Sequence, residues 1–84
     1  MATEEVSIED VSVVVRRVLE ERSIHATVLP ESDLRDVGLT SLDMVALVLS
    51  VEAEFDLTIP EAQITPSNFR SISSINALVE SLRS

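Results

Sequence analysis

The chain has 84 residues, with 15 Asp and Glu against 6 basic residues, all of them Arg, for a net charge of −9 and a pI near 4.3. That length holds one domain, residues 1–84, and the 45% apolar content suits a packed core rather than a disordered chain. The lack of cysteine excludes a disulfide framework, a thiolate zinc site and a protein thiol nucleophile.

Strong acidity with two Phe and neither Trp nor Tyr argues against nucleic-acid binding, which needs a basic stripe and stacking rings. Basic protein partners suit the charge better. The N-terminal stretch MATEEVSIEDVS is acidic where a secretion signal is basic and then apolar, and no apolar run reaches membrane-spanning length. A cytoplasmic chain with no membrane span is the expectation.

The first predicted helix starts after Ser7 as N-cap, with Asp10 three residues on, and runs to about Arg22. Ile8, Val11, Val14, Val15, Val18 and Leu19 recur at helical spacing, which outweighs the strand-like run Val11–Val15. Arg16, Arg17, Glu20, Glu21 and Arg22 read as a solvated face with pairs three or four residues apart. From Ser23 to Thr40 a long connection holds Pro30, the single glycine Gly38 and scattered apolar residues, with a helical turn expected near Glu31–Asp36. His25, alone in this stretch, reads as a surface residue.

The second main helix runs from Thr40 or Ser41 to about Asp56 and carries two apolar stripes. Leu47, Val48, Val51 and Phe55 form one; Leu42, Val45 and Leu49 form another, with Met44 between. The second stripe fits either a central helix buried on several sides or a docking face, and Asp43, Glu52, Glu54 and Asp56 are expected to rim it with unbalanced negative charge. After Thr58-Ile59-Pro60, the triplet Thr65-Pro66-Ser67 predicts a short helix ending near Arg70 with Phe69 inward. A last helix over about Ser71–Leu82 places Ile72, Ile75, Leu78, Val79 and Leu82 on one face. The expected fold is all-α: a small bundle of three main helices and one short helix, with a long loop between the first two main helices.

The segment Asp36-Val-Gly-Leu-Thr-Ser41-Leu-Asp43 puts a glycine and then two hydroxyls at the mouth of the two-striped helix. Gly38 can end the loop with a positive φ and Thr40 can cap the helix, leaving the Ser41 hydroxyl free in its first turn. A helix N-terminus favours a phosphate ester, yet from the residues alone Ser41 reads first as a cap. No nucleophile elbow, zinc motif, glycine-rich phosphate loop or histidine cluster is present, and Glu52 and Glu54, two apart on a helix, do not share a face. No catalytic residue and no metal site is assigned.

Gly38-Leu-Thr-Ser-Leu-Asp43 followed by Phe55-Asp-Leu-Thr-Ile-Pro60 resembles an acyl or peptidyl carrier protein of the phosphopantetheine-binding family. The resemblance spans nearly the whole chain: first helix, long loop ending in G-x-x-S-L, acidic helix ending in E-x-E-F-D, I-P step, short helix near Phe69 and final amphipathic helix. It implies covalent attachment of phosphopantetheine from coenzyme A to Ser41 by a phosphopantetheinyl transferase, with cargo held as a thioester on the arm. The chain is then a substrate for acyl- or aminoacyl-activating and acyl-transferring enzymes, not a catalyst, and is expected to be a monomer.

By the same resemblance, Asp36, Thr40, Leu42, Asp43, Val45, Leu49 and Glu52 form the partner-recognition face. Thr40 stands where the family most often has Asp, and Ala46 where fatty-acid carriers usually show an acid. Both departures point to a dedicated pathway, and the expected cargo is an acyl group of lipid or polyketide type. An aminoacyl or peptidyl carrier of a nonribosomal-peptide-type pathway is the first alternative, and an unmodified acidic adaptor for a basic partner the second.

Overall fold

The computed structural model describes residues 8–83, with side chains from residue 9. These form helices α1 (Ile8–Glu21), α2 (Leu34–Val37), α3 (Ser41–Phe55) and α4 (Ile72–Arg83), with a 3₁₀ turn at Glu61–Gln63 and no strand among the described residues. The expected Ser7 cap and the Ile8 side chain lie outside what is described. α3 and α4 both pack on α1. The valine run of α1 forms helix because Val11, Val14, Val15 and Val18 all reach the core, so burial outweighs the β-branched preference for strand.

The long connection is held down by backbone hydrogen bonds that give its polar groups partners. Leu34 N–H donates to the Arg70 carbonyl at 2.8 Å, and Ser73 N–H donates to the Pro30 carbonyl at 2.9 Å. The Ser73 hydroxyl also donates to Glu31 at 2.6 Å. Asp33 caps α2 by accepting from Arg35 N–H at 2.9 Å, and Leu34, fully buried, anchors that short helix to the core.

The helix expected at Thr65–Arg70 is replaced by a turn over residues 66–69, and the 3₁₀ turn stands earlier, directly after Pro60. One helical bond does close, from Phe69 N–H to the Thr65 carbonyl at 3.2 Å. Side chains supply the rest: Thr65 Oγ1 accepts from Asn68 N–H at 3.2 Å, and the Asn68 amide donates to the Gln63 carbonyl at 2.8 Å. Such local side-chain bonds give the backbone an alternative to the helical ladder. Phe69 is buried as expected, so the segment keeps its anchor without forming the helix.

Candidate functional site

The site is built at the start of α3. Gly38 closes α2 at φ 123°, a conformation that L side chains rarely adopt, and its N–H donates to the Arg35 carbonyl at 3.1 Å. Leu39, buried, pins the next residue in place, and Thr40 then caps α3 from an extended backbone (φ −97°, ψ 178°). Its Oγ1 accepts from Asp43 N–H at 3.3 Å, while Thr40 N–H and the Thr40 hydroxyl both donate to Asp43 Oδ2, at 2.8 and 3.0 Å. This is a reciprocal capping box, with Asp rather than Glu in the fourth position. Ser41 follows as the first helical residue, exposed, and its hydroxyl makes no hydrogen bond among the described residues.

Asp43 departs from expectation. It is only 4% exposed, and its second oxygen meets Arg22 Nε at 2.8 Å, so the carboxylate joins the end of α1 to the start of α3 instead of facing outward. The Thr40 N–H holds the Asp43 carboxyl below its ordinary value against the opposing effect of burial, and the Thr40 hydroxyl and the Arg22 charge add to the lowering.

The other acids of α3 are also engaged. Glu54 pairs with Arg17 at 2.9 Å, and Glu52 accepts from Ile59 N–H at 2.7 Å, bracing the chain beyond the helix. The expectation of acids with no balancing base is therefore overturned for Asp43 and Glu54, which Arg22 and Arg17, read as part of a solvated face, reach from the α1 side. Asp36 is exposed on α2. Asp56 ends α3 in the left-handed conformation at φ 52°, which Asp tolerates.

The second apolar stripe is not buried. Leu42 is 82% exposed, Val45 57% and Leu49 60%, on the face opposite the fully buried Leu47 and Val51. Beside it a cleft of about 260 Å³ opens between α3 and the 64–70 segment. Met44, Val45, Val48, Ile64, Pro66 and Phe69 supply apolar wall, Ser41 lies at its edge, and Arg35 and Arg70 also line it. Sequence reasoning missed both arginines and Arg22. They lie 35 residues apart or in a charged run, and no spacing rule brings them to Ser41 or Asp43. Among the described residues there is no metal-binding cluster, and no helix is long and apolar enough to cross a membrane.

An exposed serine with an unengaged hydroxyl, on a rigidly capped helix and beside a cleft, fits covalent attachment of a flexible arm. The family described as phosphopantetheine attachment site matches residues 9–82. The chain is 52% identical over 65 residues to aminoacyl carrier protein 1 of Bradyrhizobium diazoefficiens, spanning 77% of this chain and 72% of that one. It is 53% identical over 66 residues to aminoacyl carrier protein 2 of the same organism, spanning 79% and 74%.

Among solved structures, it matches a chain of the Bradyrhizobium japonicum glycine:[carrier protein] ligase complex with glycylated carrier protein. The TM-score is 0.77 and the identity 45%, over 84% of this chain and 95% of that one. The complex of that ligase with cognate carrier protein and a glycyl adenylate analogue matches at TM-score 0.79 and 44% identity, over 88% and 95%.

These relatives correct one expectation. The expected cargo is of lipid or polyketide type, yet both curated relatives are aminoacyl carrier proteins and these two matched complexes contain a glycine:[carrier protein] ligase. Thr40 and Ala46 therefore give no ground for a lipid or polyketide cargo. With nearly its whole length matched and its fold shared, the chain belongs to the carrier-protein family that bears covalently attached phosphopantetheine, a substrate for activating enzymes and not itself an enzyme.

Proposed function

We propose that this chain carries an amino acid for a partner ligase, with phosphopantetheine attached to Ser41. When bound, the arm supplies a terminal thiol that holds the amino acid as a thioester. The observation that carries the reading is the identity of about half with two aminoacyl carrier proteins over most of each chain. Ser41 offers its hydroxyl to a phosphopantetheinyl transferase from a helix start that Thr40 and Asp43 hold fixed, so the acceptor oxygen is presented without local rearrangement. Leu42, Val45 and Leu49 supply the apolar contact for the partner enzymes, and Asp36, Thr40 and Glu52 stand at its margin.

Intact mass tests the reading in two steps. Incubation with coenzyme A and a broad-specificity transferase adds one phosphopantetheine to the native chain and none to Ser41→Ala. Addition of ATP, glycine or another small amino acid and a glycine:[carrier protein] ligase then adds one amino-acid residue, removable by hydroxylamine. Equal first-step gain on Ser41→Ala refutes the attachment site. A chain that loads with phosphopantetheine but accepts acyl groups and no amino acid refutes the aminoacyl assignment.

A further inference from the structure

The net charge of −9 conceals a local reversal beside Ser41. Two of the six arginines, Arg35 and Arg70, line the same cleft as Ser41, brought there by α2 and by the turn after Phe69. The one acid between them is Asp33, whose oxygens lie 3.9 Å from Arg35 Nε and 3.8 Å from Arg70 Nε. Both distances exceed hydrogen-bond range, and both arginine side chains are 68% exposed. The guanidinium groups make no hydrogen bond among the described residues, so their donors are available. The lining of the cleft therefore carries two positive charges and no acid, set at the end of a mostly apolar wall. That is the complement of a phosphodiester monoanion followed by an aliphatic chain.

We propose that this cleft is the resting site of the phosphopantetheine arm, with its phosphodiester facing Arg35 and Arg70 and its branched aliphatic portion against Met44, Val48 and Phe69. This rests on Ser41 being the attachment point. Arginine suits the role because its planar fork meets two phosphate oxygens at once, and the wall beyond it has no charged group to oppose an alkyl chain. An aminoacyl end carries an ammonium group, which the same two arginines repel. The cleft therefore takes the anionic, proximal end of the arm and leaves the loaded end outside for a partner.

The test compares apo and holo forms of the native chain, of Arg35→Gln/Arg70→Gln and of Arg35→Lys/Arg70→Lys, each first checked by intact mass. In native holo protein, backbone amide resonances shift relative to apo at Met44, Val48, Ile64 and Phe69 as well as around Ser41. The ³¹P resonance of the phosphodiester moves on substitution by Gln and moves far less on substitution by Lys, which keeps the charge. Raising salt from about 0.1 M to about 1 M shortens the screening length from about 10 to about 3 Å and moves the native ³¹P line in the Gln direction. Amide shifts confined to residues 40–43, with a ³¹P line indifferent to both arginine substitutions, overturn the proposal while leaving Ser41 loaded. Absence of any mass gain on the native chain removes the attachment site itself, and the cleft assignment with it.

Discussion

Truncating Leu42 separates docking from folding, because this side chain is 82% exposed while Leu47, five residues on, is fully buried. Burying a whole leucine side chain gains about 1.5–3 kcal/mol. A partner that covers the exposed four-fifths and loses all but the Cβ in Leu42→Ala therefore forfeits about 1–2 kcal/mol, or about 5- to 30-fold in affinity. Stability should move by less than about 0.5 kcal/mol, as for other surface changes that disturb no cap or core contact. Leu47→Ala should instead cost about 2–5 kcal/mol of folding free energy.

The assay is aminoacylation of holo carrier by a glycine:[carrier protein] ligase at varied carrier concentration, with urea melts of each variant. Leu42→Ala should raise KM with kcat held, the pattern of an interaction lost equally from ground and transition states. An unchanged KM for Leu42→Ala, Val45→Ala and Leu49→Ala alike refutes the docking face. A loss of stability in Leu42→Ala as large as that of Leu47→Ala would show that the exposed stripe belongs to the core after all.

The cap and the attachment point are predicted to be different residues: Thr40→Ala should cost about 1 kcal/mol in chemical denaturation, and Ser41→Ala less than about 0.5 kcal/mol. Equal losses would return the capping role to Ser41. Gly38→Ala should destabilise by about 1–2 kcal/mol through its φ of 123°, since an added Cβ would lie 3.6 Å from Ile24 Cδ1, an ordinary contact. An unchanged denaturation midpoint would refute backbone strain there. The native carboxyl of Asp43 is lowered, so the unfolded chain binds the proton more readily and this group's stabilisation rises with pH across the interval between the two values. The stability difference between native protein and Asp43→Asn should be full above the ordinary aspartate value of about 4, and shrink as pH falls below it. A difference constant from pH 7 to pH 2.5 in urea melts would refute the Thr40 and Arg22 contacts as its source.

Periodicity made α1, α3 and α4 legible within one residue at most ends, because each buries a stripe at helical spacing and that requirement is local. The start of α3 was legible for the same reason, since Gly38, Thr40 and Ser41 act through bonds within a few residues of chain. The Thr65–Arg70 helix was not, because whether Pro66 begins a helix depends on where the Thr65 and Asn68 side chains bond. Charge was the least legible feature. Asp43 looks like a rim acid until Arg22 is folded against it, and Glu54 until Arg17 is. The cleft arginines share no local pattern with Ser41, as only the docking of residues 34–37 and 64–70 beside α3 brings them together.

The exchange of roles between positions 40 and 43 has a consequence for partner choice. With Thr40 as cap, the carboxylate at the helix mouth is supplied by Asp43, and the capping geometry turns it toward Arg22 and away from solvent. Here the face around Ser41 offers three exposed aliphatic side chains and two arginines across the cleft, while the Thr40 hydroxyl is engaged by Asp43, Glu52 braces Ile59 and Glu54 holds Arg17. Exposed ion pairs contribute little and are screened by salt, whereas a large exposed apolar side chain retains its value on burial. Discrimination by a ligase should therefore follow the shape of the Leu42–Val45–Leu49 surface more closely than the chain's overall acidity, which sets solubility and long-range approach while Asp43 and Glu54 are spent on pairs within the molecule.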